Sequence, residues 1–302
     1  WTVAIAFMTA AIRTADWMSE ETRKQALVKL AAISTKKLGF PEKYRDYSSV
    51  NIKRNDYVGN VVRANAYETQ RELNKIGKAV DKTEWGMTPP TVNAYYDPQK
   101  SEIVFPAGIL QPPMFGRESD DAYNYGAIGR VAGHELTHGF DDEGRQFDAQ
   151  GNLKDWWTEA DAKAFNAKAD CFVKQYSDYE SVAAKDGQAA AHLNGKLTLG
   201  ENTADNGGLR MAYAAYEKTL EGQERRTING FTPEQRFFLG YAVSRCENVT
   251  DDAARLLVVT DPHSPGKFRL VGAVSNMDEF AKAWNCKPGD KMVRGDQSCR
   301  VW

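Results

Sequence analysis

The 302-residue chain carries 39 Lys and Arg against 41 Asp and Glu, a formal charge of -2, with 42% apolar and 26% charged residues. That balance belongs to an ordinary globular protein long enough to bury a substantial core. It excludes a basic surface built to neutralise phosphates, so nucleic acid is not an expected partner, and no polybasic tail is present.

The opening WTVAIAFMTAAI is apolar for about a dozen residues before Arg13 and Asp16, too short to span a bilayer. It reads as a buried amphipathic helix, and no membrane segment is expected within the chain. The first residue is not Met and no charged region precedes the apolar run, so the chain reads as a piece of something longer. A helical pattern covers 11–37, where Ser19 is a good N-cap and Glu20 and Glu21 suit the helix dipole. Gly39 and Pro41 break it, and a long polar helix is expected over roughly 56–80.

Two short runs, 91–96 and 102–105, flank DPQK and predict a β-hairpin, stopped by prolines at 106, 112 and 113. Helical patterns resume at about 123–140, 158–178, 200–220, 233–247 and 277–284. The expected class is α+β, mainly helical with a small sheet, with a helical segment 1–80 preceding one domain over 81–302. Four cysteines without CxxC spacing argue against a zinc knuckle. From composition alone they read as buried thiols, since disulfides need an oxidising compartment.

The stretch VAGHELTHGFDDEG places His134 and His138 four residues apart, so on a helix both project within about 40° of each other. Glu135 lies about 100° round the helix, outside the ligand direction but able to reach a water between ligand and substrate. The five-residue pattern alone fits a metal helix or a solvated polar face equally well. Gly126, Gly129 and Gly133 add a small-residue stripe, which is easiest to understand if another backbone comes close. A hydrolytic zinc site needs a third protein ligand. Glu201 in TLGENTADNGGL is the candidate, with Asp205 one turn later placed to accept the free N–H of a ligating histidine. Without the histidine motif, both acids would read as helix-surface residues.

VNAYY, IVFPAGILQPP, GHELTHGFDDEGRQFD, HLNG, TLGENTADNGGL, DPHSPGKFR and the terminal CRVW resemble, in order and spacing, the neprilysin and endothelin-converting-enzyme family of zinc metallopeptidases. The resemblance runs from about Phe7 to Trp302, and sixty-two residues lie between His138 and Glu201, unlike the roughly twenty of thermolysin-like and aminopeptidase relatives. It implies a thermolysin-like zincin catalytic domain that hydrolyses internal bonds of oligopeptides. It also implies a second helical lobe, mostly absent here, to which 1–80 would link.

Residue by residue, the resemblance makes His134, His138 and Glu201 the zinc ligands and Glu135 the general base. Asp205 is the outer acid, matched in relatives to a proton donor, although its position favours orienting a histidine. Asn93 and Ala94 would hold the substrate main chain, His263 the oxyanion and Arg269 a substrate carbonyl. Read without the resemblance, the last two are a loop histidine and an exposed arginine. Arg130, Ser244 and Arg245 stand where neprilysin has apolar residues of its primed-side pocket, so that pocket is expected to be more polar, unless Arg130 points away or pairs with an acid such as Glu118.

The same resemblance pairs Cys171 with Cys299 and matches Cys246 and Cys286 to residues whose partners lie in an absent amino-terminal segment. It implies an extracytoplasmic location: secreted, periplasmic or the ectodomain of an anchored protein. Two rivals stay open, a peptide-binding scaffold without turnover and an aminopeptidase, the latter disfavoured by the ligand spacing.

Overall fold

The computed structural model describes residues 2–185 and 187–302; Trp1, the first residue of the opening apolar run, lies outside them. Helix α1 (Thr2–Thr14) buries Ala4, Met8 and Ile12, one residue per turn, as an amphipathic helix should. In α2 (Glu20–Ala32) the Ser19 hydroxyl accepts from the Thr22 N–H, closing the start of the helix. The helical reading to residue 37 overshoots. The helix ends at Ala32, and Ser34–Gly39 form strand β1, because tertiary pairing in a sheet outweighs the local helical pattern.

The chain continues through α3 (Tyr57–Leu73), β2 (Tyr95–Asp97), β3 (Glu102–Pro106), a short α4 (Asp121–Asn124), a π-turn (Tyr125–Gly129) and α5 (Arg130–His138). Then come α6 (Glu159–Ser177), β4 (Glu180–Val182), β5 (Ala191–His192), α7 (Leu199–Thr219), α8 (Pro233–Ser244), α9 (Asp251–Thr260), α10 (Gly266–Val274) and α11 (Asp278–Ala283). Helices α9 and α10 were not foreseen: α9 is β-branched at its end, and α10 is masked by Pro265, Gly266 and Gly272. Helix α3 stops at Leu73, seven residues short of the expected end, and buries none of its residues.

The main sheet has the order β1-β3-β2, with β3 parallel to β1 and antiparallel to β2. All five residues of the central strand β3 are buried, while β2 is an edge. The expected hairpin is present with a shorter first strand, so Asn93 and Ala94 lie just ahead of β2. One apolar core joins α1, α2, β3, α5, α6 and the terminal Trp302; a second joins α4, α7, α8, α10 and α11. A disulfide between Cys171 on α6 and Cys299 ties the carboxyl-terminal segment to the first core, and Cys246 and Cys286 are free thiols. No described helix is long and apolar enough to cross a membrane.

Candidate metal and catalytic site

Two glycines set the geometry of the site. A Cβ on Gly133 of α5 would sit 2.8 Å from Gly208 Cα on α7, and one on Gly208 would sit 2.4 Å from the His134 nitrogen. No side chain fits there, so the two helix backbones touch. Gly126 plays the same part toward the Phe237 carbonyl on α8, whereas Gly129 makes only ordinary contacts, the nearest at 3.5 Å. Gly200 opens α7 with ordinary helical backbone; its missing side chain makes room for Asp141 and Asp142, whose oxygens would lie 3.2 and 3.1 Å from a Cβ.

This contact turns His134 and His138 toward Glu201. His134 Nε2 lies 3.2 Å from Glu201 Oε2, His138 Nε2 3.4 Å from Glu201 Oε1, and the two Nε2 atoms are 3.1 Å apart. The opposite ring nitrogens meet carboxylates. His138 Nδ1 is 2.6 Å from Asp141 Oδ2, and His134 Nδ1 is 2.9 Å from Asp205 Oδ1, somewhat off the line of a well-directed hydrogen bond. When both rings are neutral, as metal ligation requires, with protons on Nδ1 facing those acids, both Nε2 atoms present lone pairs to each other and to Glu201. Three electron-rich groups converging on one point call for a cation. Tetrahedral zinc with bonds of about 2.0–2.1 Å holds its N and O ligands roughly 3.3 Å apart, so the spacing and the donor set both fit zinc. Among the described residues this is the one group of three or more His, Cys, Asp or Glu side chains able to share a metal.

Electrostatics follow the same arrangement. Burial would raise the Glu201 and Asp205 pKa values, but His134 and His138 hold Glu201 far below the carboxylate range, and Arg245 and Arg269 do the same for Asp205. Burial opposes charge on His138, yet its hydrogen bonds with Asp141 and Glu201 leave its pKa well above the ordinary imidazole value. Asp141 escaped sequence reasoning. The available signal was an acid three residues after the second histidine, in HGFD. Its Oδ1 also accepts from the Gly144 N–H at 2.6 Å, which fixes the loop after α5.

Glu135 is buried and lines the cleft, a cavity of about 680 Å³, with His134, His138 and Glu201. His263 lies on the loop between α9 and α10, with Nε2 3.3 Å from Glu201 Oε1 and Nδ1 2.8 Å from Asp261 Oδ1. Arg269, read without the resemblance as an exposed residue, is in fact buried on α10. Its Nε and Nη2 donate to the two Asp205 oxygens at 2.5 and 2.8 Å, and Nη2 also lies 3.2 Å from Glu201. Asn93 and Ala94 border the same cleft, with the Ala94 N–H donating to Asn93 Oδ1 at 2.9 Å.

Arg130 does not meet Glu118, which lies at the surface beside Arg117. It is buried 3.7 Å from Asp205 Oδ1 with its guanidinium over the Tyr241 ring, and Arg245 donates to the same Oδ1 at 2.6 Å. Burial, with Arg245 beside it, pushes the Arg130 guanidinium down to about 9.

The profile of Peptidase family M13 matches residues 93–301. The chain is 45% identical to the endothelin-converting enzyme homolog of Locusta migratoria and 42% identical to neprilysin-3 of Drosophila melanogaster. The matches cover 96% of this chain but only 40% and 37% of those relatives. Among solved structures it superposes on the Mycobacterium tuberculosis zinc metalloprotease ZMP1 in complex with inhibitor with a TM-score of 0.94 at 42% identity, covering 100% of this chain and 46% of that one. PEPO from Lactobacillus rhamnosis gives 0.85 at 32% identity, with the same coverage. The chain thus spans about two fifths of the curated relatives it matches.

Proposed function

Because the chain belongs to peptidase family M13, we propose that it is the catalytic portion of a zinc metalloendopeptidase that hydrolyses internal bonds of oligopeptides. The observation that carries this reading is the convergence of His134, His138 and Glu201 beside a buried Glu135 in an open cleft. A zinc ion held by those three ligands would supply Lewis acidity, lowering the pKa of water toward about 7 and polarising a carbonyl.

The chain's own residues do the rest. Glu135 takes the proton of the attacking water and returns it to the leaving amine. Asp205 and Asp141 hold the two histidine rings in position; Asp205 acts through His134 as a positioning residue, a role its three arginine neighbours support. His263, its ring fixed by Asp261, hydrogen-bonds the oxygen that becomes negative. The free edge of β2 and the Asn93 amide take up an extended peptide main chain, with Ala94 at the start of that edge. Arg269 has Nε and Nη2 committed to carboxylates, leaving Nη1 for a substrate carbonyl.

We further propose a division at residue 80, with 1–80 linking to an amino-terminal lobe. The relatives' greater length supports that lobe, as do Tyr57, Val58 and Val62 exposed on α3. The Cys171–Cys299 disulfide favours an extracytoplasmic location. Incubation with an internally quenched peptide blocked at its amino end, with and without a chelator, tests the activity. Chelator-sensitive cleavage is expected; a scaffold gives none, and an aminopeptidase needs the free amine.

A further inference from the structure

Around Asp205 the charges do not balance. Three guanidinium groups face this one fully buried carboxylate: Arg269 through a two-point pair, Arg245 at 2.6 Å and Arg130 at 3.7 Å. The Arg269 pair already neutralises Asp205, whose Oδ1 also meets His134. Of the other acids lining the cleft, Glu201 belongs to the metal ligands, Asp141 faces His138, and Glu135 is the proposed base. One carboxylate against three guanidiniums leaves this cleft wall with an excess of two positive charges: Arg245 shares an Asp205 oxygen already paired with Arg269, and Arg130 stands 3.7 Å from it.

Both also hold unspent hydrogen-bonding capacity, since the Nε of each is buried without a partner. An unsatisfied buried donor is costly, more so when charged. The Tyr241 ring lies near both guanidiniums, its centre 5.4 and 5.8 Å from them, but a ring face offsets only part of that cost. Arg130 stands one helical turn before His134, so this wall adjoins the reacting bond, and Ser244 adds a hydroxyl beside it.

We propose that the subsite walled by Arg130, Ser244 and Arg245 selects an acidic side chain, Asp or Glu, on a residue flanking the scissile bond. The proposal rests on the peptidase reading. A carboxylate there can accept from Arg130 and Arg245 together and offsets part of the excess charge, whereas a large apolar side chain leaves that excess buried and uncompensated. The arrangement discriminates mainly against the wrong substrate, by the desolvated charge left uncompensated.

The test uses amino-blocked, carboxyl-amidated quenched peptides in which each residue flanking the cleaved bond is in turn Glu, Gln, Asp, Asn, Leu or Phe. At one of the two positions kcat/KM for Glu over Gln, or for Asp over Asn, is expected to exceed about tenfold and to fall with added salt. Arg245→Gln should collapse that ratio toward one, and Arg245→Lys should keep much of it, so that a general loss of activity is not mistaken for lost selectivity. A matching set with a free carboxyl terminus next to the subsite shows whether a terminal carboxylate satisfies it instead; acceptance of that set alone overturns the side-chain assignment. Cleavage that favours Leu or Phe, or a Glu preference untouched in Arg245→Gln, also overturns it. No cleavage of any peptide overturns the peptidase reading, and this proposal with it.

Discussion

At the scale of single residues, the proposed function separates Glu135, as base, from the metal ligands. Glu135→Gln keeps a side chain of the same shape in the same buried place but cannot accept a proton. The variant is expected to hold zinc as the parent does while kcat falls by about 10²- to 10⁴-fold; metal analysis beside a peptide assay checks it, and unchanged turnover contradicts the assignment. The histidine pair was legible because its spacing matches one helical turn, and both rings do meet at Glu201. Asp141 was missed although it stands three residues after His138, and Lys29 because it acts through a fold that no local spacing reveals. Lys29 is 1% exposed and donates from Nζ to the carbonyls of Gly144 and Phe147, bracing the loop that carries Asp141.

Burial pulls the Lys29 pKa down from 10.5 to about 7, with Asp141 and Asp148 opposing only in part. The unfolded chain therefore binds more protons between those values. Lys29 burial costs most at or below about pH 7, and the cost fades as pH rises toward 10. The stability of the parent relative to Lys29→Met should accordingly grow by about 1 kcal/mol per pH unit across that window. Urea denaturation of both proteins at pH 7, 8 and 9 measures it, and a gap independent of pH contradicts it.

At the scale of elements, the contact of α5 with α7 decides the site. Gly208→Ala adds a Cβ 2.4 Å from the His134 nitrogen and 2.7 Å from the Arg130 carbonyl. Overpacking of this kind costs about 1–3 kcal/mol, against a helix-propensity gain of about 1 kcal/mol. Because the clashing atoms are backbone, the cost falls at the upper end, and a net loss of roughly 2 kcal/mol with weaker zinc binding is expected from denaturation and zinc competition; a variant as stable as the parent shows that the helices have room. The stripe at Gly126 and Gly133 pointed to a close backbone, but the partners, Phe237 on α8 and the NGG of α7, lie far along the chain, where spacing says nothing. Strand β1 and helices α9 and α10 were hidden for separate reasons: a helical pattern overridden by pairing with β3, a β-branched end on α9, and proline and glycine at α10.

At the scale of the whole molecule, the Cys171–Cys299 bridge closes 128 residues of sequence and seats Trp302 against Trp17 and Phe140, with ring centres 5.6 and 5.9 Å away. Chain-entropy reasoning gives such a loop about 5 kcal/mol, with measured cases typically lower. The double variant Cys171→Ser, Cys299→Ser is expected to lose about 2–5 kcal/mol by denaturant titration, and equal stability contradicts a structural role. That pairing was legible only through resemblance, because four cysteines without close spacing allow three connectivities.

The most direct measurement of the central claim is zinc stoichiometry, read by equilibrium titration of the chelator-stripped protein. One tightly held zinc per chain is predicted, with affinity falling at least about a hundredfold in His134→Ala, His138→Ala and Glu201→Gln alike. Zinc bound equally well by all three variants, or not bound by the parent, contradicts it.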